Sequence, residues 1–371
     1  MTDFSKYANP GVLGLRPYQP GKPIEELERE YGVSNIIKLA SNENPLGPSP
    51  MALAAMRGEL EDVWLYPDGN GFELKQKLAA RHGVEMDRIT LGNGSSDVLE
   101  FAVRVFVGPA DEVLFSEHSF ALYPLLTQAV GGTPVVAPAK AWGHDLEAMR
   151  ERISDRTRVI FIANPNNPTG TWLGAEELES FIRDVPEHAL VVVDEAYFDY
   201  AIAPATGAGD YPDCSAWVER YPNLMVARTF SKSYGLAGLR VGYAVSHSQV
   251  ADLMNRVRPP FNVNSVALAA AAAALDDSEH LSRSVQMNAD GLKQLAEAFA
   301  AQGLDYIPSV GNFISVDVGQ PSGPIYEALL HQGVIVRPVA NYGMPNHLRV
   351  TVGTKEENER FLGALYKVLV G

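Results

Sequence analysis

An α/β fold built on a largely parallel sheet is predicted by three features of this 371-residue chain. From about residue 85, short β-branched runs alternate with helical stretches. The strand runs are apolar almost without interruption, as in Leu190-Val191-Val192-Val193. Acids, serines and glycines gather just beyond those runs. Alternation of this kind builds strand–helix–strand units, and a strand without polar alternation expects cover on both faces. A hydrophobic content of 46% supplies a large core, and the length suggests two domains of unequal size.

The elements follow in order. Residues 1–35 carry Pro17, Pro20 and Pro23 with little periodicity and read as an arm lying across another surface. Strands are expected at 88–91, 112–115, 134–137, 158–162, 189–194, 224–227 and 240–245, with helices at 95–107, 122–130 and about 175–184. The Ala-rich stretch 266–275 reads as a buried helix, because it falls well short of the ~20 residues a membrane span needs. A long helix at 278–302, a strand at 312–318, a helix near 325–331, strands near Ile335 and Leu348 and a helix at 355–369 form a smaller α+β domain. The expected boundaries are therefore an arm at 1–35, a large α/β domain at 36–275 whose first residues pack with the small domain, and the small domain at 276–371.

Thirty basic against 45 acidic residues leave a formal charge of -15, which opposes nucleic acid and anionic membrane as general partners. Any anionic ligand must meet a local basic pocket. Cys214 is the one cysteine, so no internal disulfide forms and a reducing compartment, the cytoplasm, is expected. The start Met-Thr-Asp-Phe-Ser-Lys-Tyr lacks the pattern of an export signal. The eight histidines have no ligand-like spacing, so no metal is expected.

Chemistry concentrates in four segments. In 228–242, Lys232 is ringed by Thr229, Ser231 and Ser233, with Arg240 eight residues on. A lysine nucleophile typically forms a Schiff base with a carbonyl, and a cofactor bearing an aldehyde and a phosphate would use the hydroxyls and the arginine as well. The strand at 190–194 ends in Asp194, followed by Glu195 and Tyr197. That is the strand end where α/β sheets place ligands, and a buried acid there needs a cation such as a protonated pyridine nitrogen. The competing reading makes Asp194 a helix cap and Glu195 a surface acid. The loop 163–170 holds two prolines and a glycine around Asn164, Asn166 and Asn167, more amides than a turn requires. At 91–97, Gly92, Gly94, Ser95 and Ser96 offer a phosphate site at a helix amino terminus, or Ser95 simply caps that helix. Asp97 stands where a dinucleotide fingerprint would need its third glycine.

In order and spacing, Asn167, Asp194, Tyr197, Lys232 and Arg240 resemble the signature of the fold-type I pyridoxal-phosphate aminotransferases, over nearly the whole chain. Segments 16–27, 39–48 (Leu-Ala-Ser-Asn-Glu-Asn-Pro-Leu-Gly-Pro), Tyr66-Pro-Asp-Gly69 and Val336-Arg337-Pro338 are similar to the histidinol-phosphate branch of that family. The resemblance implies pyridoxal 5'-phosphate as cofactor, joined to Lys232, which then acts as base and acid. Asp194 would pair with the pyridine nitrogen, and Tyr197 and Asn167 would bond its phenolic oxygen. Phe120 would stack on the ring, and Ser95, Ser96, Ser231, Arg240 and Thr229 would hold the phosphate. Tyr66 would reach the phosphate of a neighbouring subunit, which implies a homodimer with shared sites. Arg349 resembles the fork for a substrate carboxylate. Histidinol phosphate lacks that group, so Tyr18, Asn264, Arg337 and Arg349 are the substrate candidates, with a surface ion pair as the other reading of Arg337. A broad-specificity aromatic aminotransferase, a phospho-amino-acid decarboxylase and a cofactor-binding regulatory domain remain alternatives.

Overall fold

A computed structural model describes residues 2–17 and 21–370. Its strands are β1 (Ile37–Lys38), β2 (Ile89–Gly92), β3 (Glu112–Ser116), β4 (Thr133–Ala137), β5 (Ala139–Lys140), β6 (Gly143–His144), β7 (Thr157–Ala163), β8 (Leu190–Asp194), β9 (Leu224–Thr229) and β10 (Gly242–Ser246). The remainder are β11 (Tyr306–Ile307), β12 (Phe313–Asp317), β13 (Val334–Ile335), β14 (Arg337–Pro338) and β15 (His347–Thr351). Seven of them form the main sheet in the order β2-β10-β9-β8-β7-β3-β4. β10 is antiparallel to both its neighbours, and every other pairing is parallel.

Residue alternation explains the apolar strands. Val191 and Val193 join Ile160 and Ile162 in the core on one face, while Leu190 and Val192 join Val159 and Phe161 on the other. Both faces are therefore dry, as the unbroken apolar runs require. The Ala-rich helix Ser265–Ala274 lies against helix Pro50–Glu59, its alanines allowing close approach. No helix among the described residues is long and apolar enough to cross a membrane.

A second sheet, β11-β12-β15-β14, packs with helices Ser278–Ala301, Ser322–His331 and Lys355–Val370 around Leu295, Phe299, Val316, Leu329, Val350 and Phe361. β1 pairs in parallel with β13, so residues 37–38 join this C-terminal layer rather than the main sheet.

Three features depart from the sequence expectation. The arm contains helix Ile24–Tyr31, whose Leu27 is buried with Ala40, Leu330 and Ile335. Its prolines precede the helix instead of interrupting it. Helices Pro50–Glu59, Phe72–His82 and Ser248–Val257 were not anticipated, because each turns only a narrow apolar stripe inward. Glu195 is not a surface acid: it is buried against Arg228, with Nη2 at 2.6 Å and Nε at 2.9 Å from Oε2.

Candidate active site

β2, β7, β8 and β9 point their carboxyl ends to one edge of the main sheet, where Gly92, Ala163, Asp194 and Thr229 come together. β10 starts from that same edge, which brings Arg240 there too. A cavity of about 260 Å3 opens at this edge, at the junction with the C-terminal layer. Ser95, Ser96, Phe120, Asn167, Asp194, Tyr197, Thr229, Ser231, Lys232, Arg240, Arg337 and Arg349 all line it. The parallel crossovers bring the main-sheet residues of this set to one edge, and the antiparallel strands β14 and β15 of the second sheet add Arg337 and Arg349.

One end is built for an anion. Gly94 takes the amino-cap position of helix Ser95–Phe106 at φ 74°, and no side chain caps that helix. Ser95 is therefore not a cap, and the first amides of the helix face the cavity end with its positive dipole. A Cβ on Gly94 would lie 2.6 Å from Arg240 Nη2, and one on Gly242 would lie 2.5 Å from Ser95 N, so both glycines keep the cup open. Arg240, itself in the left-handed region, donates from Nη1 to Ser231 Oγ at 3.2 Å. Thr229 Oγ1 donates to the same oxygen at 3.0 Å. With its acceptor positions used, the Ser231 hydroxyl keeps its hydrogen for a ligand.

At the other end of the cavity, Asp194 is buried and accepts from Tyr123 Oη at 2.9 Å through Oδ2. Its Oδ1 is buried with no hydrogen-bond partner among the described residues. Burial raises the Asp194 carboxyl to about 6, although the Tyr123 bond and the Ala196 amide oppose that rise. A carboxylate oxygen without a partner is costly, and a protonated ring nitrogen would satisfy it. Tyr123 was not found by sequence reasoning. It lies on a helix as an ordinary core aromatic, stacked on Phe161 at 4.4 Å, and only the fold brings its hydroxyl to the acid.

Between these ends lies Lys232, whose Nζ donates to Ser41 O at 3.3 Å and sits 5.5 Å from the Tyr197 ring centroid. Burial first, then Arg349 and Arg240, lower its amine to about 7, against opposing pulls from Glu43 and Asp194. Tyr197 is pushed up to about 12 by burial and accepts from Asn42 Nδ2 at 2.8 Å. Of the three loop asparagines, two hold the loop itself. Asn164 exchanges bonds with Leu173, and Asn166 donates to His118 O and Thr169 Oγ1. Asn167 faces the cavity, its Oδ1 accepting from Arg349 Nη1 at 2.5 Å. Arg349 Nη2 also donates to Ala40 O at 2.7 Å.

The remaining candidates divide. Arg337, half-buried on β14, lines both this cavity and an adjoining groove of about 850 Å3 that includes Arg16, Pro17 and Gly21. Asn264 does not line the cavity of its own chain: it is exposed and caps helix Ser265–Ala274 through Ala267 N. Tyr66 is 82% exposed and stacks on Phe261 at 4.7 Å, outside the cavity of its own chain. Tyr18 lies outside the described residues.

An anion cup, a buried carboxylate with one oxygen unpartnered among the described residues and a neutralisable lysine fit pyridoxal 5'-phosphate, and this fold and site define an aminotransferase scaffold. The chain belongs to the class I and II aminotransferases, whose family model matches residues 34–365. It is 61% identical over 366 residues to histidinol-phosphate aminotransferase 1 of Nitrosococcus oceani, covering 99% of this chain and 98% of the relative. It is 58% identical to histidinol-phosphate aminotransferase 2 of Pseudomonas aeruginosa, over 100% of this chain and 99% of that one. Among solved structures, histidinol-phosphate aminotransferase from Sinorhizobium meliloti in complex with pyridoxal-5'-phosphate superposes with a TM-score of 0.87 at 30% identity, over 97% of each chain. Thermus thermophilus aspartate aminotransferase with maleate, at 23% identity and a TM-score of 0.81 over 94% of this chain and 97% of that one, shares the fold.

Proposed function

We propose that the protein is a pyridoxal-phosphate-dependent histidinol-phosphate aminotransferase of histidine biosynthesis. It converts L-histidinol phosphate and 2-oxoglutarate to imidazole acetol phosphate and L-glutamate. The observation that carries the reading is a single cavity lined by Lys232, Asp194 and the Arg240 cup together with Arg337 and Arg349. When bound, the cofactor supplies an aldehyde that exchanges amine for carbonyl and a protonated ring that takes up an electron pair.

The chain's own residues do the rest. With the cofactor bound, Lys232 would be the base and acid that takes and returns the proton at the substrate carbon. Asp194 keeps the ring nitrogen protonated, and Tyr197 and Asn167 donate to the phenolic oxygen. Phe120 covers the ring face. Ser95, Ser96, Thr229, Ser231 and Arg240 retain the phosphate. Arg349 forks onto the carboxylate of glutamate, while Arg337 takes the phosphate of histidinol phosphate, so one pocket serves both half-reactions.

The working unit is a homodimer, in the cytoplasm. Leu60, Val63, Trp64, Leu65, Tyr66 and Phe261 form an exposed apolar surface around the end of helix Pro50–Glu59, of the kind a partner covers. Tyr66 then reaches the phosphate cup of the second subunit.

The deciding measurement is kcat/KM for histidinol phosphate against phenylalanine and tyrosine, with 2-oxoglutarate as acceptor. Histidinol phosphate should be preferred by at least about 100-fold, as expected when a site built for a charged group rejects its absence. Equal or reversed ratios would make the enzyme a broad-specificity aromatic aminotransferase. Arg337→Ala should reduce turnover of histidinol phosphate more than that of phenylalanine, and equal losses would remove Arg337 from the phosphate.

A further inference from the structure

In the segment Ser41-Asn42-Glu43-Asn44, Asn42 and Asn44 are buried, and Ser41 and Asn42 line the cavity beside Tyr197 and Lys232. Asn42 is 1% exposed and sits at φ 56°, a left-handed conformation that asparagine tolerates better than most residues. Its backbone N–H donates to Thr351 Oγ1 at 2.9 Å, and Thr351 Oγ1 lies 3.1 Å from Asn42 Oδ1. Its carbonyl accepts from Asn312 Nδ2 at 2.9 Å.

These bonds fix the direction of every hydrogen. Thr351 Oγ1 accepts the Asn42 amide hydrogen, so its own hydrogen goes to Asn42 Oδ1. The Asn42 NH2 is then turned to Tyr197, to whose oxygen it donates at 2.8 Å. Tyr197 therefore accepts on that side, and its single hydrogen is directed to the cavity that the ring lines, where Asp194, Lys232 and Arg349 are the charged neighbours.

We propose that Asn42 is a positioning residue that sets the direction of the Tyr197 hydroxyl hydrogen, and that Thr351 ties this setting to the strand carrying Arg349. The inference rests on the cofactor reading, since the group that receives the hydrogen is the phenolic oxygen of the cofactor. Thr351 and Arg349 are two apart on β15 and so share a face of the sheet. A displacement of that strand by a bound substrate anion is thereby felt at Tyr197.

The test is a pH titration of the visible absorption band of the holoenzyme. Asn42→Asp keeps size and the bond from Thr351 but replaces the donor with an acceptor, which draws the Tyr197 hydrogen away from the cavity. The titration midpoint should rise by about one unit, a tenfold change in proton affinity. In a Tyr197→Phe background the same substitution should leave the midpoint nearly in place, which separates the hydrogen's direction from the added charge. Thr351→Val should raise the midpoint and Thr351→Ser should restore it, and this pair decides the matter if Asn42→Asp does not fold. An unmoved midpoint, or an equal rise with and without the Tyr197 hydroxyl, would overturn the assignment. A wild-type protein that develops no visible band with pyridoxal phosphate counts instead against the cofactor reading itself.

Discussion

Lys232 surrenders its proton near pH 7, against 10.5 for a solvated lysine, because burial and then Arg349 and Arg240 disfavour the charge. The neutral amine is the form that attacks an aldehyde, and it dominates above that pH. The rate at which cofactor-free protein regains its visible band on adding pyridoxal phosphate should therefore climb through about pH 7 and level off above it. A rate that falls with rising pH would contradict the shift. Lys232→Ala should lose both the borohydride-reducible band and transamination. The same depression has a stability sign: between about 7 and 10.5 the unfolded chain holds the proton that the native chain lacks, so this group's contribution rises with pH across that window. At Asp194, Tyr123→Phe removes one charge-assisted bond while keeping the stack on Phe161. Such bonds contribute about 1.5–3 kcal/mol, so cofactor affinity measured by equilibrium dialysis should fall roughly tenfold or more with the circular dichroism unchanged. Lys232, Asp194 and Arg240 were legible because each carries a reactive or charged group beside a strand end. Tyr123 and Asn42 were not, since nothing in an apolar helix or a polar turn announces which distant oxygen it will meet.

At the level of elements, the cup depends on β10 lying close under the loop before helix Ser95–Phe106. A Cβ on Gly242 would meet Gly94 C and Ser95 N at 2.5 Å, and backbone atoms cannot rotate away. Gly242→Ala should therefore push the loop off β10 and weaken pyridoxal phosphate binding more than it weakens folding, as cofactor titration alongside thermal unfolding would reveal. The ends of β8 and β9 are held in register by the Glu195–Arg228 pair, with Asp213 as a second acid at 2.6 Å and the guanidinium 3.4 Å from the Phe198 ring centroid. Glu195→Gln leaves a buried guanidinium short of one charge, a change that typically costs about 3–5 kcal/mol, partly offset here by Asp213. Urea unfolding should report a loss of that order, and a loss under about 0.5 kcal/mol, the size of an ordinary surface change, would mean the pair is not structural. The parallel strands were readable from their apolar runs because two-faced burial leaves no polar alternation. The antiparallel setting of β10 was not, because its composition is the same as that of its parallel neighbours.

For the whole molecule, the proposed dimer rests on the exposed surface of Trp64, Tyr66 and Phe261. Mixing Lys232→Ala subunits with Tyr66→Ala subunits should give hybrid dimers whose activity departs from the mean of the two parents, since one shared site then carries both defects and the other neither. Activity equal to that mean would argue for independent subunits. The expected division into an arm, a large body and a C-terminal layer rested on changes in periodicity along the chain. By itself the sequence determined the α/β class, the strands of the main sheet, half of the helices and the family, and it singled out the lysine, because these follow from local periodicity and from reactive groups at characteristic spacings. Only the tertiary structure decided that Asn264 is a helix cap, that Glu195 is buried against Arg228, and that Tyr123 and Asn42 stand behind Asp194 and Tyr197. The reason is physical: which side chain of a polar loop turns inward is settled by hydrogen bonds to partners far away in the chain, and those partners exist only once the crossovers have brought the strand ends together.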